Sequence, residues 1–288
     1  MEHLTDVRRG DWLVRRAGAW STIGGVVGTG FTASARVLHP VTAHRDDRST
    51  TDQWGEHPVL ETATWRWADV AARTGGTVDA RTRWDRLTGL DDESDLPFPD
   101  GWRAEHPQEG WLDPSVLAVL VGHLAAATST PDDLVAGIWD GWGDLNGGGK
   151  LVVGWQRSDD EPGPTDAERA AMQADADRRI AQHHAEQSAL VAAPAGPRLQ
   201  WPLRDLLCFA TSASELADPT WTDRATVGDG HPMRHTPQLL WPEDRAWAMA
   251  TEIDLDSTMV AGSRALVEAI LDDPRLEAFE VHEDDPLS

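Results

Sequence analysis

Several residue types are nearly missing from this chain. It holds one cysteine, Cys208, in 288 residues, so no internal disulfide framework can form and a reducing compartment suits it. The flanking Leu206, Leu207 and Phe209 make that thiol read as a buried small hydrophobe rather than a nucleophile. Tyrosine is absent and phenylalanine is limited to four, so fifteen tryptophans must do most of the aromatic packing. Positive charge is scarce, with 25 basic residues against 49 acids and a formal net charge of -24, and Lys150 is the sole lysine. Such a surface repels phosphate, which speaks against nucleic acid and anionic membranes and leaves basic proteins, cations and neutral ligands. Long hydrophobic runs are also lacking. The best, Val116 to Ala127, is too short to span a bilayer and contains His123. Met1 to Arg9 carries no apolar signal core, and a cytoplasmic location is expected.

What remains is the composition of a folded protein. Hydrophobic residues make up 40% of the chain, and a globule of this length buries about 75% of its unfolded surface, so no staple is needed. The pattern along the chain predicts an α+β fold: one globular domain over 1–288 with a mixed sheet, a central two-helix hairpin and an exposed helical insertion at 158–196. Ile23 to Val27 reads as a strand and Thr64 to Arg73 as a short helix closed by Gly75-Gly76. The acidic, proline-rich stretch from Leu90 to Gly110 reads as a long loop. Asp113-Pro114 and Thr130-Pro131 each look like an N-cap followed by proline at the first helical position, which predicts the hairpin over Asp113 to Trp142. A strand is expected at Leu151 to Trp155. Thr165-x-x-Glu168 is a capping box opening the polar helix of the insertion. Towards the C-terminus the expected order is a strand from Ala246 to Leu255, a loop, a helix from Ser263 to Leu271 and a strand from Leu276 to Val281, with an acidic tail that frays.

The expected C-terminal strand carries the sharpest candidate site. Glu252, Asp254 and Asp256 alternate, so in a strand they leave one face at about 6.6 to 7 Å intervals. At an effective dielectric of about 20, charges that far apart repel by about 2.4 kcal/mol, so the trio wants a cation, an arginine or a shared proton. An oxygen-only set suits Mg²⁺, Ca²⁺ or Mn²⁺. The bland alternative is a solvated face whose acids partner Arg245 and Arg264. Ser263 and Arg264, at the start of the next helix, could hold a small anion or simply cap it. Trp241 and Arg245, on the approach to the strand, are candidate ligand contacts. Other patterns carry less. Gly28-Thr29-Gly30-Phe31-Thr32-Ala33 fits the dinucleotide fingerprint loosely, but His39-Pro40 would cut its helix short, so it reads as a turn. His231 and His235 have ligand spacing, yet Pro232 disfavours a helix there. Trp65 with Trp67, or Trp139 with Trp142, could line a cleft; as large aromatics they read first as core.

Four blocks carry a family resemblance: Gly30-Phe31 through Ala35 to Pro40, Trp67 to Ala71, Ile138 to Gly143, and Leu240-Trp241-Pro242 through Gly262-Ser263-Arg264. On these the chain resembles a widespread family of uncharacterised bacterial proteins of GC-rich, actinobacterial type. It departs from that pattern at Met259, where tyrosine is usual, and at Ala261, where glycine is usual. The resemblance implies a shared fold and no activity. With no recognisable catalytic set, the leading expectation is a non-catalytic binding or accessory protein, similar to the immunity-type modules that cap a partner protein. The competing expectation is a divalent-metal-dependent hydrolase or transferase built on Glu252, Asp254 and Asp256.

Overall fold

The chain changes sheet at His39-Pro40, and that junction organises the molecule. The computed structural model describes residues 1–52, 55, 57–90, 94–146, 165–190, 194–227 and 231–287. In chain order the strands are β1 (Glu2–Leu4), β2 (Ala33–Leu38), β3 (Val41–Asp46), β4 (Val59–Trp65), β5 (Leu96–Pro97), β6 (Trp102–Ala104), β7 (Leu134–Trp139), β8 (Leu199–Trp201), β9 (Arg204–Thr211), β10 (Thr226–Val227), β11 (His231–Pro232), β12 (Leu239–Pro242), β13 (Ala248–Ala250), β14 (Ser257–Gly262) and β15 (Ala278–Val281). The helices are α1 (Asp11–Val14), α2 (Ile23–Val27), α3 (Trp67–Thr74), α4 (Trp84–Thr88), α5 (Pro114–Ala126), α6 (Gly143–Asn146), α7 (Asp166–Leu190), α8 (Ala213–Leu216) and α9 (Arg264–Leu271).

The fold class is α+β, as expected, but the sheets are antiparallel rather than mixed in every described pairing. The large sheet runs β1-β9-β7-β12-β13-β14-β2-β15, with β8 on the first part of β9; the small one runs β4-β3-β6-β5. Helices cover both faces of the large sheet. On one face α5, α8 and α9 pack Leu117, Leu120, Leu124 and Leu266 against Ala136, Phe209 and Met249. On the other, Trp12, Leu13, Val26 and Val27 from α1 and α2 meet Trp241, Ala250 and Met259. Burial of each such leucine or valine is worth about 1.5–3 kcal/mol, so these two layers dominate stability. A third, smaller core under the small sheet holds Trp67, Val70, Trp84 and Phe98.

Several local expectations fail for one physical reason. Strands β2 and β14 are buried at every position, and β7 at all but its last, because helices cover both faces. Alternation then vanishes from the sequence. So Leu134 to Trp139 forms a central strand, and the two-helix hairpin over Asp113 to Trp142 reduces to α5 alone. The strand expected over Ala246 to Leu255 shrinks to Ala248–Ala250, and the expected loop after it contains β14 instead. Ile23 to Val27 is a helix, capped by Thr22, whose hydroxyl accepts from Gly25 N at 3.2 Å. The chain stays extended through Trp65, so the helix near it spans Trp67–Thr74 and ends on Gly75 at φ 78°. The C-terminal tail is tied down: Leu287 N donates to Ser21 O at 2.9 Å and Val281 is buried. The strand expected at Leu151 to Trp155 lies outside the described residues, as do 158–164 and 191–193 of the insertion. In α7, Ala176 is buried between the half-buried Met172 and Ile180, one turn to either side, and most other described side chains are exposed.

Candidate functional site

Residues 251–256 form the turn between β13 and β14, closed by Leu255 N donating to Glu252 O at 3.1 Å. The three acids therefore do not line one strand face. Arg204 reaches across from β9 and bonds Glu252 at 2.7 Å and Asp254 at 2.7 Å. Asp256 points to Arg36 of β2 at 3.1 Å. Arg36 is only 2% exposed and also donates to Ser257 Oγ and to the carbonyls of Ala80 and Thr82. Contact between opposite charges at about 4 Å is worth about 4 kcal/mol at the same effective dielectric, which exceeds the acids' mutual repulsion. Arginine meets the electrostatic demand that suggested a metal ion. Among the described residues no group of three or more His, Cys, Asp or Glu is placed to hold one.

The other sequence candidates are likewise occupied. Ser263 is the N-cap of α9, its hydroxyl accepting from Leu266 N at 3.2 Å, and Arg264 pairs with Glu280 on β15. Trp241 is 1% exposed, packed beside Gly10 and Trp12, so it is core rather than a ligand platform. Arg245, at φ 62°, is exposed with its guanidinium 5.8 Å from the Trp12 ring.

Beside the acid turn lies an aromatic knot. Arg204 sits 5.3 Å from the Trp20 ring and 5.5 Å from Trp139. Trp142 stacks on His235 at 4.5 Å, and His235 Nε2 meets Asp144 at 2.8 Å. Buried Gln238 ties the knot: its Oε1 accepts from Trp139 N and Trp142 Nε1, and its Nε2 donates to the carbonyls of Gly110 and Thr236. The space left between Trp139, Trp201, Arg204 and Glu252 is about 20 Å³. That is about room for one water, so these tryptophans fill volume rather than enclose a ligand.

The open cleft lies elsewhere, between the outer face of the small sheet and the start of α5. Its outer part, about 400 Å³, is lined by Asp95, Glu105, His106 and Glu109. Sharing Glu105, His106 and Gln108, an inner part of about 140 Å³ runs in to Thr42, Thr64, Trp111 and Asp113. Local chemistry sets this shape. Asp113 caps α5 by accepting from Ser115 N at 2.7 Å, with Pro114 in the first turn. Gly110, at φ 67°, presses its backbone onto Ile253, where any Cβ would lie 2.7 Å from Ile253 Cα. Its N–H donates to Leu255 O at 3.0 Å, fastening the cleft to the acid turn.

His39 sits between the two. Its Nδ1 lies 2.7 Å from the Gln108 carbonyl, which can only accept, so Nδ1 carries the proton. Nε2 then accepts from Thr258, 3.0 Å away, whose oxygen lies 2.8 Å from that of Thr251. Burial pushes the imidazole down to about 4, keeping it neutral. In the cleft, His44 joins Thr62 and Glu105, each at 3.0 Å, and Arg103 bonds Asp46 at 3.1 Å and also Asp95. Among the described residues lining the cleft there is no arginine or lysine, although Arg103 reaches Asp95 from the side.

The sequence reading put this segment in a loop and Asp113 in a cap, and so missed the cleft. The available signal was the density of acids and histidines in Glu105-His106-Pro107-Gln108-Glu109 between Trp102 and Trp111. Cys208 is buried, as expected, its thiol pushed up to about 12 by desolvation. Among the described residues no helix is long and apolar enough to cross a membrane. No family model matches the chain, and neither a curated protein nor a solved structure matches it significantly.

Proposed function

We propose that the protein is a cytoplasmic, non-catalytic binding module that caps a basic partner protein at the cleft between the small sheet and α5. One observation carries this reading. At the open cleft Glu105 bonds only His44 and Asp113 only the Ser115 amide and hydroxyl among the described residues, so neither meets a guanidinium, whereas the acids of the 251–256 turn are each held by one. In a chain of charge -24, carboxylates that meet no guanidinium at a concave surface favour a cationic protein and speed its approach. The arginine clasps weigh against the divalent-metal enzyme, since a cation would first have to displace Arg204 or Arg36.

Zero-length carbodiimide coupling in the native cell tests the proposal. It joins carboxylates to lysines that touch them. Expected is one partner whose lysines couple to Asp95, Glu105, Glu109 or Asp113, with the adduct lost in a Glu105→Gln, Glu109→Gln variant. Couplings spread evenly over the surface, or none, would overturn it.

A further inference from the structure

We infer that β4 takes up an extended, basic segment of the partner as an added strand. This rests on the cleft being the partner-binding face and names how the partner would dock there. Among the described residues β4 pairs only with β3, so it is the outer edge of the small sheet. Edge strands are usually blunted by short length, charge, proline, a bulge or a cover. β4 spans seven residues with neither lysine nor proline; its one charge, Glu61, and its register shift lie in the first half, so Thr62 to Trp65 are a regular edge, and every position of β4 but Ala63 and Trp65 is exposed. Among the described residues the exposed large hydrophobics are Val59 at 47%, Leu60 at 57% and Leu203. Two of those three thus sit together on this edge.

The register says which backbone groups are on offer. Thr42 O accepts from Glu105 N and Asp46 N donates to Gly101 O, so the even residues of β3 turn toward β6. Alternation then turns Val41, Ala43 and Arg45 toward their partners Trp65, Ala63 and Glu61. At the register shift, where Arg45 pairs with Glu61 but Asp46 with Val59, Leu60 is the extra residue; beyond it Thr62 and Thr64 are left with N–H and C=O groups directed outward. Their side chains stand on the cleft face, where Thr62 bonds His44 and Thr64 lines the wall opposite Asp113. A strand added along Thr62 and Thr64 would place one side chain at the mouth of the acidic cleft and run on past the exposed Val59 and Leu60. The fitting segment is therefore extended, with an arginine or lysine at the cleft and an apolar residue towards Leu60. A second copy of this chain is a poor occupant, because it brings its own surplus of negative charge to a negative cleft.

A suitable probe is the capped peptide Arg-Thr-Thr-Thr-Val-Thr-Thr-Thr-Arg, which brings a basic end to the cleft and an apolar residue towards Leu60 in either strand direction. NMR titration of the full chain reads binding at the Thr62 and Thr64 amides. Two changes should each weaken it at least tenfold: N-methylation of the valine and the residues two away on either side, and Thr64→Pro. The proline removes an outward N–H and leaves the pairing with β3 intact. Methylation on the intervening threonines should cost little, which keeps the test independent of whether Thr64→Pro folds well. Equal binding of the parent and valine-centred methylated peptides, with loss on replacing both arginines by glutamate, would overturn strand addition and leave the cleft reading standing. Failure of the parent peptide to bind would overturn both. A homodimer dissolved by Thr64→Pro would overturn the basic occupant in favour of self-pairing.

Discussion

The 251–256 turn and the 95–113 cleft are both loop-built, both rich in carboxylates, and fastened to each other through Gly110 N and Leu255 O. They differ in what faces the acids. In the turn, three carboxylates meet two guanidiniums drawn from strands of the large sheet, and Arg36 and Glu252 are almost fully buried. In the cleft, Asp95, Glu105 and Asp113 are half-buried and Glu109 is exposed, and Arg103 reaches Asp95 from the side while His44 reaches Glu105. Partners supplied from within the fold make an acid structural. An acid that meets water is available to another molecule, so the same residue type serves opposite purposes in two adjoining parts of the fold.

The largest effect that could break this comparison is at Arg36. Arg36→Met removes the cation from Asp256 and the donors from Ser257, Ala80 and Thr82, and should cost about 3–5 kcal/mol in a denaturant titration. A loss below about 1 kcal/mol would show that the clasp is not what holds the turn. His39 gives the next effect, as a pH dependence. Its imidazole is held at about 4 when folded and titrates near 6.5 when unfolded, so the unfolded chain binds the proton first as pH falls. The contribution is complete above about pH 6.5 and is lost down to about pH 4, about 3 kcal/mol in all. The denaturation midpoint should fall across that window in wild type and far less in His39→Gln. Parallel pH profiles would rule out the neutral, doubly bonded imidazole.

Arg204 comes third, near 2 kcal/mol. Arg204→Ala strands Glu252, a carboxylate only 7% exposed, and Glu252→Gln in the same chain should restore part of the loss. The same pair decides the metal question. Mg²⁺, Ca²⁺ and Mn²⁺ should leave the thermal midpoint of wild type unmoved, and a clear upward shift would show that the guanidinium yields to a cation.

How far the sequence speaks for this contrast depends on burial. Helix starts were legible at Asp113-Pro114 and Ser263, because capping is a local bond between a side chain and the next amides. The α+β class was legible from composition and element order. Leu134 to Trp139 was not, since a strand covered on both faces shows a solid apolar run that also fits a helical stripe. The acid trio misled for a related reason. Alternation at 252, 254 and 256 is real in the chain, but whether it lies on a strand or a turn depends on where β13 stops, and the backbone packed against that turn, Gly110 on Ile253, comes from far away in sequence. Arg204 and Arg36 could not be assigned to those acids, because only the sheet order brings β9 and β2 to the same end as the turn. The cleft was missed because its floor and wall come from β3, β4 and α5, and no spacing records their approach.

The smallest expected change in stability is the most informative about function. Glu105→Gln with Glu109→Gln should move the unfolding free energy by no more than about 0.5 kcal/mol, since exposed charges and their histidine partner contribute little. The same double variant should lose most coupling to a basic partner, and its association rate should lose its dependence on salt, because the steering charge has gone. Glu252→Gln with Asp254→Asn should do the reverse, lowering stability while leaving partner capture intact. If instead the turn variant abolished capture and the cleft variant did not, the two regions would have exchanged roles, and the arginine clasps would have to open for the protein to work.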